Sequence, residues 1–185
     1  PWPKLIALAY ICLITAGYGG LYAASLMLHG VHKVTVGAAG LAFSVAGVAS
    51  VLQQVLILPR LSRLCSDRGI VLIGCGLTIA GAAVICTPQP PSSYATTVVG
   101  VSLMSMGLAL ISASICSLFA RSASTGQAMG RLQLLKNIGG GIGPPLLGYA
   151  FDIVHRGAFM LALILGLIGL AAAALAPREH SISTP

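Results

Sequence analysis

The residues of this sequence best suited to chemistry gather in positions 126–148, GQAMGRLQLLKNIGGGIGPPLLG. Lys136 stands there in an otherwise apolar run, beside Gln133 and Asn137, which are four apart and so share one helix face. An ammonium next to two carboxamides can hold a polar or anionic solute, or pair with a carboxylate from another helix. Lys136 lies nine residues past Gln127, about 14 Å along a helix axis at 1.5 Å per residue. Two placements stay open at that depth: a cation facing a cavity, or a long side chain that snorkels back to the interface. Arg121 and Arg131 precede it. The same stretch holds seven glycines, at 126, 130, 139, 140, 141, 143 and 148, and the pair Pro144-Pro145. In a soluble helix that composition costs about 1 kcal/mol per glycine and about 3 per proline. In a bilayer, glycines let helix backbones approach, and neighbouring helices satisfy the groups that proline frees.

The chemistry that is missing narrows the function. The only acids are Asp67, Asp152 and Glu179, each outside the apolar runs, so no proton or sodium relay is legible within them. His29, His32, His155 and His180 lie at the edges of those runs. A hydrolytic serine would need a strained Gly-rich turn and a histidine at its depth, and the sequence offers neither. The five cysteines, Cys12, Cys65, Cys75, Cys86 and Cys116, show no metal-ligand or disulfide spacing. The net charge of +7 comes from Lys and Arg scattered singly, not from a basic face, which argues against nucleic acid. We expect no enzyme activity, no metal and no cofactor.

The elements that position these residues are membrane spans. The chain is 57% hydrophobic and 7% charged, with mean hydropathy +0.97, against about 25% charged residues in soluble domains. At about 20 residues per span, six all-α crossings are predicted: 4–28, 35–58, 70–86, 94–120, 127–151 and 158–176, with residues 1–177 as one domain and 178–185 as a cytoplasmic tail. If the amino terminus is cytoplasmic, eight basic residues fall inside (Lys4, Arg60, Arg63, Arg68, Arg121, Arg131, Lys136, Arg178) and only Lys33 and Arg156 outside. That asymmetry places both termini in the cytoplasm. The start at Pro1, with no initiator Met, reads as a piece of a longer protein. Connections run short, long, short in each triplet of spans, the trace that a three-plus-three inverted repeat leaves.

Polar residues inside spans face the bundle interior or a watery cavity. In the first span, Tyr18 and Tyr22 share a face with Ser25, and Gly17, Gly19 and Gly20 surround Tyr18. Tyr18 reads as a cavity residue or as part of a glycine packing seam, and Tyr22 also as an interfacial anchor. In the fourth span, Ser102, Ser105 and Ser112 fall within an arc of about 80°, either as a polar stripe or as small residues at a helix contact.

Two residue sets carry a resemblance. The segment Leu64-Cys65-Ser66-Asp67-Arg68-Gly69 keeps the Asp-Arg and nearby Gly of a basic loop patterned as G-x-x-x-D-R-x-G-R, without its leading Gly, the spacer before its last Gly and its trailing base. The second set is Gly126 to Gly130, Leu132-Gln133, Gly139 and Gly143-Pro144 with Leu146-Leu147-Gly148. Together they resemble the carboxy-terminal half of a major facilitator superfamily transporter, most like drug/proton antiporters of the tetracycline-efflux branch. The resemblance implies one half of a twelve-helix carrier in the lipid bilayer, partnered by a missing amino-terminal six-helix half and moving a small organic solute by alternating access. It implies that spans 1, 2, 4 and 5 line the cavity while spans 3 and 6 stand outside. The expected solute site is Tyr18, Ser105, Gln133, Asn137 and Lys136. The expected gating loop is Arg60, Asp67, Arg68 and Gly69, acting as an ion-pair latch. Packing or hinge positions are Gly126, Gly130, Gly139, Gly143, Pro144 and Gly148. A transport-inactive membrane adaptor and an oligomeric six-span channel remain the rival readings.

Overall fold

The computed structural model describes residues 2–87, 94–122 and 125–175, and every element among them is helical. In order these are α1 (Trp2–Gly30), α2 (Val36–Leu52), a π-helical turn (Gln53–Ile57), α3 (Leu58–Leu64), α4 (Asp67–Cys86), α5 (Tyr94–Ser122), α6 (Thr125–Ile153) and α7 (Gly157–Leu175). Five stretches are long and apolar enough to cross a membrane among the described residues: Leu5–Gly30, Val36–Leu64, Asp67–Cys86, Tyr94–Ser117 and Gly157–Leu175. The predicted fifth span corresponds to α6, which at 29 residues has the length. Its Arg131, Gln133, Lys136, Asn137, glycines and prolines keep it out of that apolar set.

The polar run after the second span was expected to be a loop from Pro59 onward. Instead Leu58–Leu64 is helical, and only Cys65 and Ser66 break the chain before α4. The reason lies in Pro59. Its nitrogen carries no proton and its ring crowds the carbonyl four residues back, so the helix widens just before it. The Leu58 N–H reaches the Gln53 carbonyl, five residues back, and Pro59 then occupies the first turn of α3, where a proline is tolerated. The following helix begins at Asp67 because Ser66 caps it, its hydroxyl accepting from the Gly69 N–H at 3.3 Å. Thr35 caps α2 the same way through Ala38, at 3.4 Å.

Glycines make the closest helix contacts, the pattern expected where lipid removes the hydrophobic drive for association. Helices α4 and α5 run antiparallel with two glycine crossings. A Cβ added to Gly74 would stand 2.9 Å from the Gly107 carbonyl oxygen, and one on Gly81 2.6 Å from that of Gly100. Helices α1 and α6 run parallel, with Gly139 against Ile14, Gly143 against Gly19, and Gly148 against the Tyr22 ring. More widely, α1 packs along α6 and α7, while α5 packs along α2 and α4. The core between them includes Tyr10, Leu13, Ile14, Met104, Ile111, Leu147 and Phe159, all fully buried.

Helix α2 touches the bundle mainly through α5. At one end the Tyr94 hydroxyl donates to the Ala38 carbonyl at 2.7 Å, and the buried Thr97 hydroxyl meets His32 Nε2 at 3.2 Å. The rest of α2 turns Leu41, Val45, Val48 and Val51 outward, an apolar face suited to lipid or to another helix.

Candidate functional site

A cleft of about 380 Å³ opens where α1, the π-turn after α2, α5 and α6 converge. Its polar lining is Tyr18, Gln54, Ser105, Ser112, Cys116 and Lys136, with Leu21, Leu108, Ala109 and Ala113 between them. On α5 the lining residues recur at three- and four-residue steps, so they form one stripe along that helix. From Ser105 to Cys116 the stripe runs about 16 Å at 1.5 Å per residue. It extends from the middle of the bundle toward the end where α2 gives way to α3 and where α4 and α6 begin.

The glycines of α1 place Tyr18. A Cβ on Gly17 would meet Leu108 of α5 at 2.9 Å, and one on Gly19 would meet the Gly143 carbonyl of α6 at 2.6 Å. Tyr18 lies between these two contacts, so its side chain enters the angle between α5 and α6. Gly140 lies beside the ring, where an added Cβ would make an ordinary contact at 3.6 Å.

Of the expected solute-site residues, Tyr18, Ser105 and Lys136 come together on this cleft. Gln133 and Asn137 do not line it. They are exposed on α6, where the Gln133 amide donates to the Asn137 carboxamide oxygen at 3.1 Å. Lys136 is half-buried and is the one charged residue in the lining among the described residues. Ser112 joins Ser105 in the stripe, whereas the Ser102 hydroxyl turns back onto the Val98 carbonyl at 2.8 Å.

Gln54 belongs to the lining and was missed in the sequence. Gln53-Gln54 five residues ahead of Pro59 was the available signal, because a proline-induced widening shifts the residues before it. Gln53 itself is buried, and its Oε1 finds no hydrogen-bond partner. The Ser114 hydroxyl on α5 is likewise buried and unpartnered.

The expected gating residues sit at the same end of the bundle. Asp67 opens α4, where a carboxylate suits the positive end of the helix dipole. Its Oδ2 accepts from the Ser117 hydroxyl of α5 at 3.1 Å. The Arg68 guanidinium donates to the Ala174 carbonyl in the last turn of α7, one of the carbonyls a helix end leaves unpaired. Arg60 turns back onto the Leu56 carbonyl at 3.3 Å. The Gly69 N–H completes the Ser66 cap. These side chains thus tie α4 to α5 and to α7.

The expected packing glycines divide. Gly139, Gly143 and Gly148 face α1 closely, whereas a Cβ on Gly126 or Gly130 would meet nothing within 4 Å. Pro144 and Pro145 lie inside an uninterrupted α6, which leaves the carbonyls of Gly140 and Gly141 without their usual donors. Arg121 and Ala128 have side chains outside the described set, and Arg178 and Glu179 lie outside the described residues. No group of acidic, histidine and cysteine side chains suited to a metal ion occurs among the described residues.

No curated protein and no solved structure matches the chain. A sequence profile of the Major Facilitator Superfamily matches residues 5–185, nearly the whole length. With its apolar helices and its cleft between four of them, the chain is a multi-pass integral membrane protein that belongs to the Major Facilitator Superfamily, whose members are transporters and not enzymes.

Proposed function

We propose that this chain is the carboxy-terminal six-helix half of a secondary transporter that moves a small organic solute by alternating access, in the drug/proton antiporter branch. The observation that carries the reading is the cleft that joins Tyr18, Ser105 and Lys136. It is bounded by α1, α2 with its π-turn, α5 and α6, the spans the family resemblance predicted to line a cavity. Helices α4 and α7 contribute nothing to its lining. The exchange of partners, with α1 on α6 and α7 and α5 on α2 and α4, supports a three-plus-three repeat. In that repeat α6 is the fifth of six spans, crossing as a polar-faced helix shielded by α1.

Tyr18, Ser105 and Lys136 hold the solute, and Gln133 and Asn137 stand on the exposed side of α6, facing the half that precedes this one. With both termini cytoplasmic, the cleft opens inward. Asp67 and Arg68 then brace the cytoplasmic end of this half in one conformation through α5 and α7, with Arg60 nearby, and a change of state rearranges α4 against those helices. Gly139 to Gly148, with Pro144, let α6 bend as they do so.

Flux measurements test this. The full-length protein reconstituted in vesicles should show saturable uptake that responds to an imposed pH gradient. Absence of uptake under any gradient, with folded protein in the bilayer, would favour the adaptor reading.

A further inference from the structure

We infer that the solute of this site is a small organic anion, held by Lys136 with the Tyr18, Ser105, Ser112 and Gln54 side chains around it. This rests on the transport reading above and names its substrate class. The argument starts from charge. Lys136 is half-buried in the cleft, and no acid among the described residues lines the cleft with it. Holding an ammonium at depth without a counter-charge is costly. A bound anion offsets that cost only while it is present, which is what a carrier requires of its site.

The rest of the wall fits the same ligand. Three hydroxyls and the Gln54 carboxamide can each present a proton to anionic oxygen. Leu21, Leu108, Ala109 and Ala113 provide an apolar bed for an organic body. The volume of about 380 Å³ lies near the low end of the roughly 300–1,000 Å³ of small-molecule sites. Gln54 reaches the wall because Pro59 forces the π-turn, so the specificity of the site depends on a backbone irregularity of α2.

Cys116 supplies a built-in reporter, since its thiol lines the same cleft and it is a free cysteine. A methanethiosulfonate reagent transfers its alkylthio group to the thiolate, forming a mixed disulfide and releasing methanesulfinate. Labelling of Cys116 in the full-length protein, read by peptide mass spectrometry, compares the anionic sulfonatoethyl reagent with the cationic trimethylammonioethyl one. The ratio cancels the intrinsic reactivity of the thiol. The anionic reagent should react about tenfold faster, relative to a free thiol in solution, because a fixed cation concentrates anions locally. Lys136→Gln should remove the preference and Lys136→Arg should keep it. Equal rates, or faster labelling by the cation, would overturn the inference and mean that Lys136 snorkels away. The two readings fail separately. A preserved preference in vesicles that take up no solute would defeat transport and leave the anion site standing. Uptake of a neutral or cationic solute, unaltered by Lys136→Gln, would do the reverse.

Discussion

Gly19 and Gly143 meet backbone to backbone: a Cβ on Gly19 would stand 2.6 Å from the Gly143 carbonyl oxygen, and one on Gly143 2.8 Å from the Thr15 carbonyl. That approach sets the α1–α6 side of the cleft, where Tyr18 of α1 and Lys136 of α6 share one opening. Gly19→Ala should therefore separate α1 from α6, at a cost of about 1–3 kcal/mol for overpacking against backbone. Gly130→Ala, which meets nothing within 4 Å, should leave stability unchanged or slightly higher. Thermal unfolding in detergent compares the two.

The α4–α5 seam gives a prediction about coupling. Gly81 and Gly100 face each other, each with its added Cβ within 3 Å of the other's carbonyl oxygen. Either Gly→Ala change forces the same helices apart, so the double variant should lose less stability than the sum of the singles. A double-mutant cycle should show coupling of about 0.5–3 kcal/mol. Strict additivity would mean that the helices do not move as rigid bodies.

Much of the fold was legible, for identifiable reasons. Spans 1, 3, 4 and 6 could be read from apolar length, and their helices exceed the predicted limits by at most a few residues because caps such as Ser66 lie just outside the apolar runs. Leu58–Leu64 was not legible as helix, since Pro59 and two arginines read as loop while a first-turn proline is harmless. Of the residues that line the cleft, Tyr18, Ser105 and Lys136 could be singled out by type and spacing. Gln133 and Asn137 share a face, but helical spacing alone does not say whether that face meets the cleft. Gln54 required the π-turn, which periodicity at 3.6 residues cannot reveal.

That π-turn is itself testable. Pro59→Ala restores an N–H and relieves the crowding that widens the helix, so α2 should close to regular α geometry and carry Gln54 about 100° around the axis. Protein stability should hold or rise, whereas solute KM should increase several-fold. Gln54→Ala should reproduce the KM change. An unchanged KM in both variants would remove Gln54 from the site.

At the end of the bundle where α4 begins, Asp67 and Ser117 are joined at 3.1 Å. On the proposed latch role, Asp67→Asn should alter turnover much more than solute affinity, because neither partner lines the cleft. Ser117→Ala should act in the same direction with a smaller effect, about 0.5–1.5 kcal/mol for one hydrogen bond. An Asp67→Asn protein with wild-type transport rate would remove the latch role.

The central claim, that solute passes through the cleft at Tyr18, Ser105 and Lys136, is tested most directly by filling it. Ser105→Trp adds an indole to a space of about 380 Å³, and uptake by the reconstituted full-length protein is the measurement. Saturable uptake should vanish in Ser105→Trp and persist in Gly130→Ala, with both proteins monodisperse. Wild-type uptake by Ser105→Trp would place the pathway elsewhere.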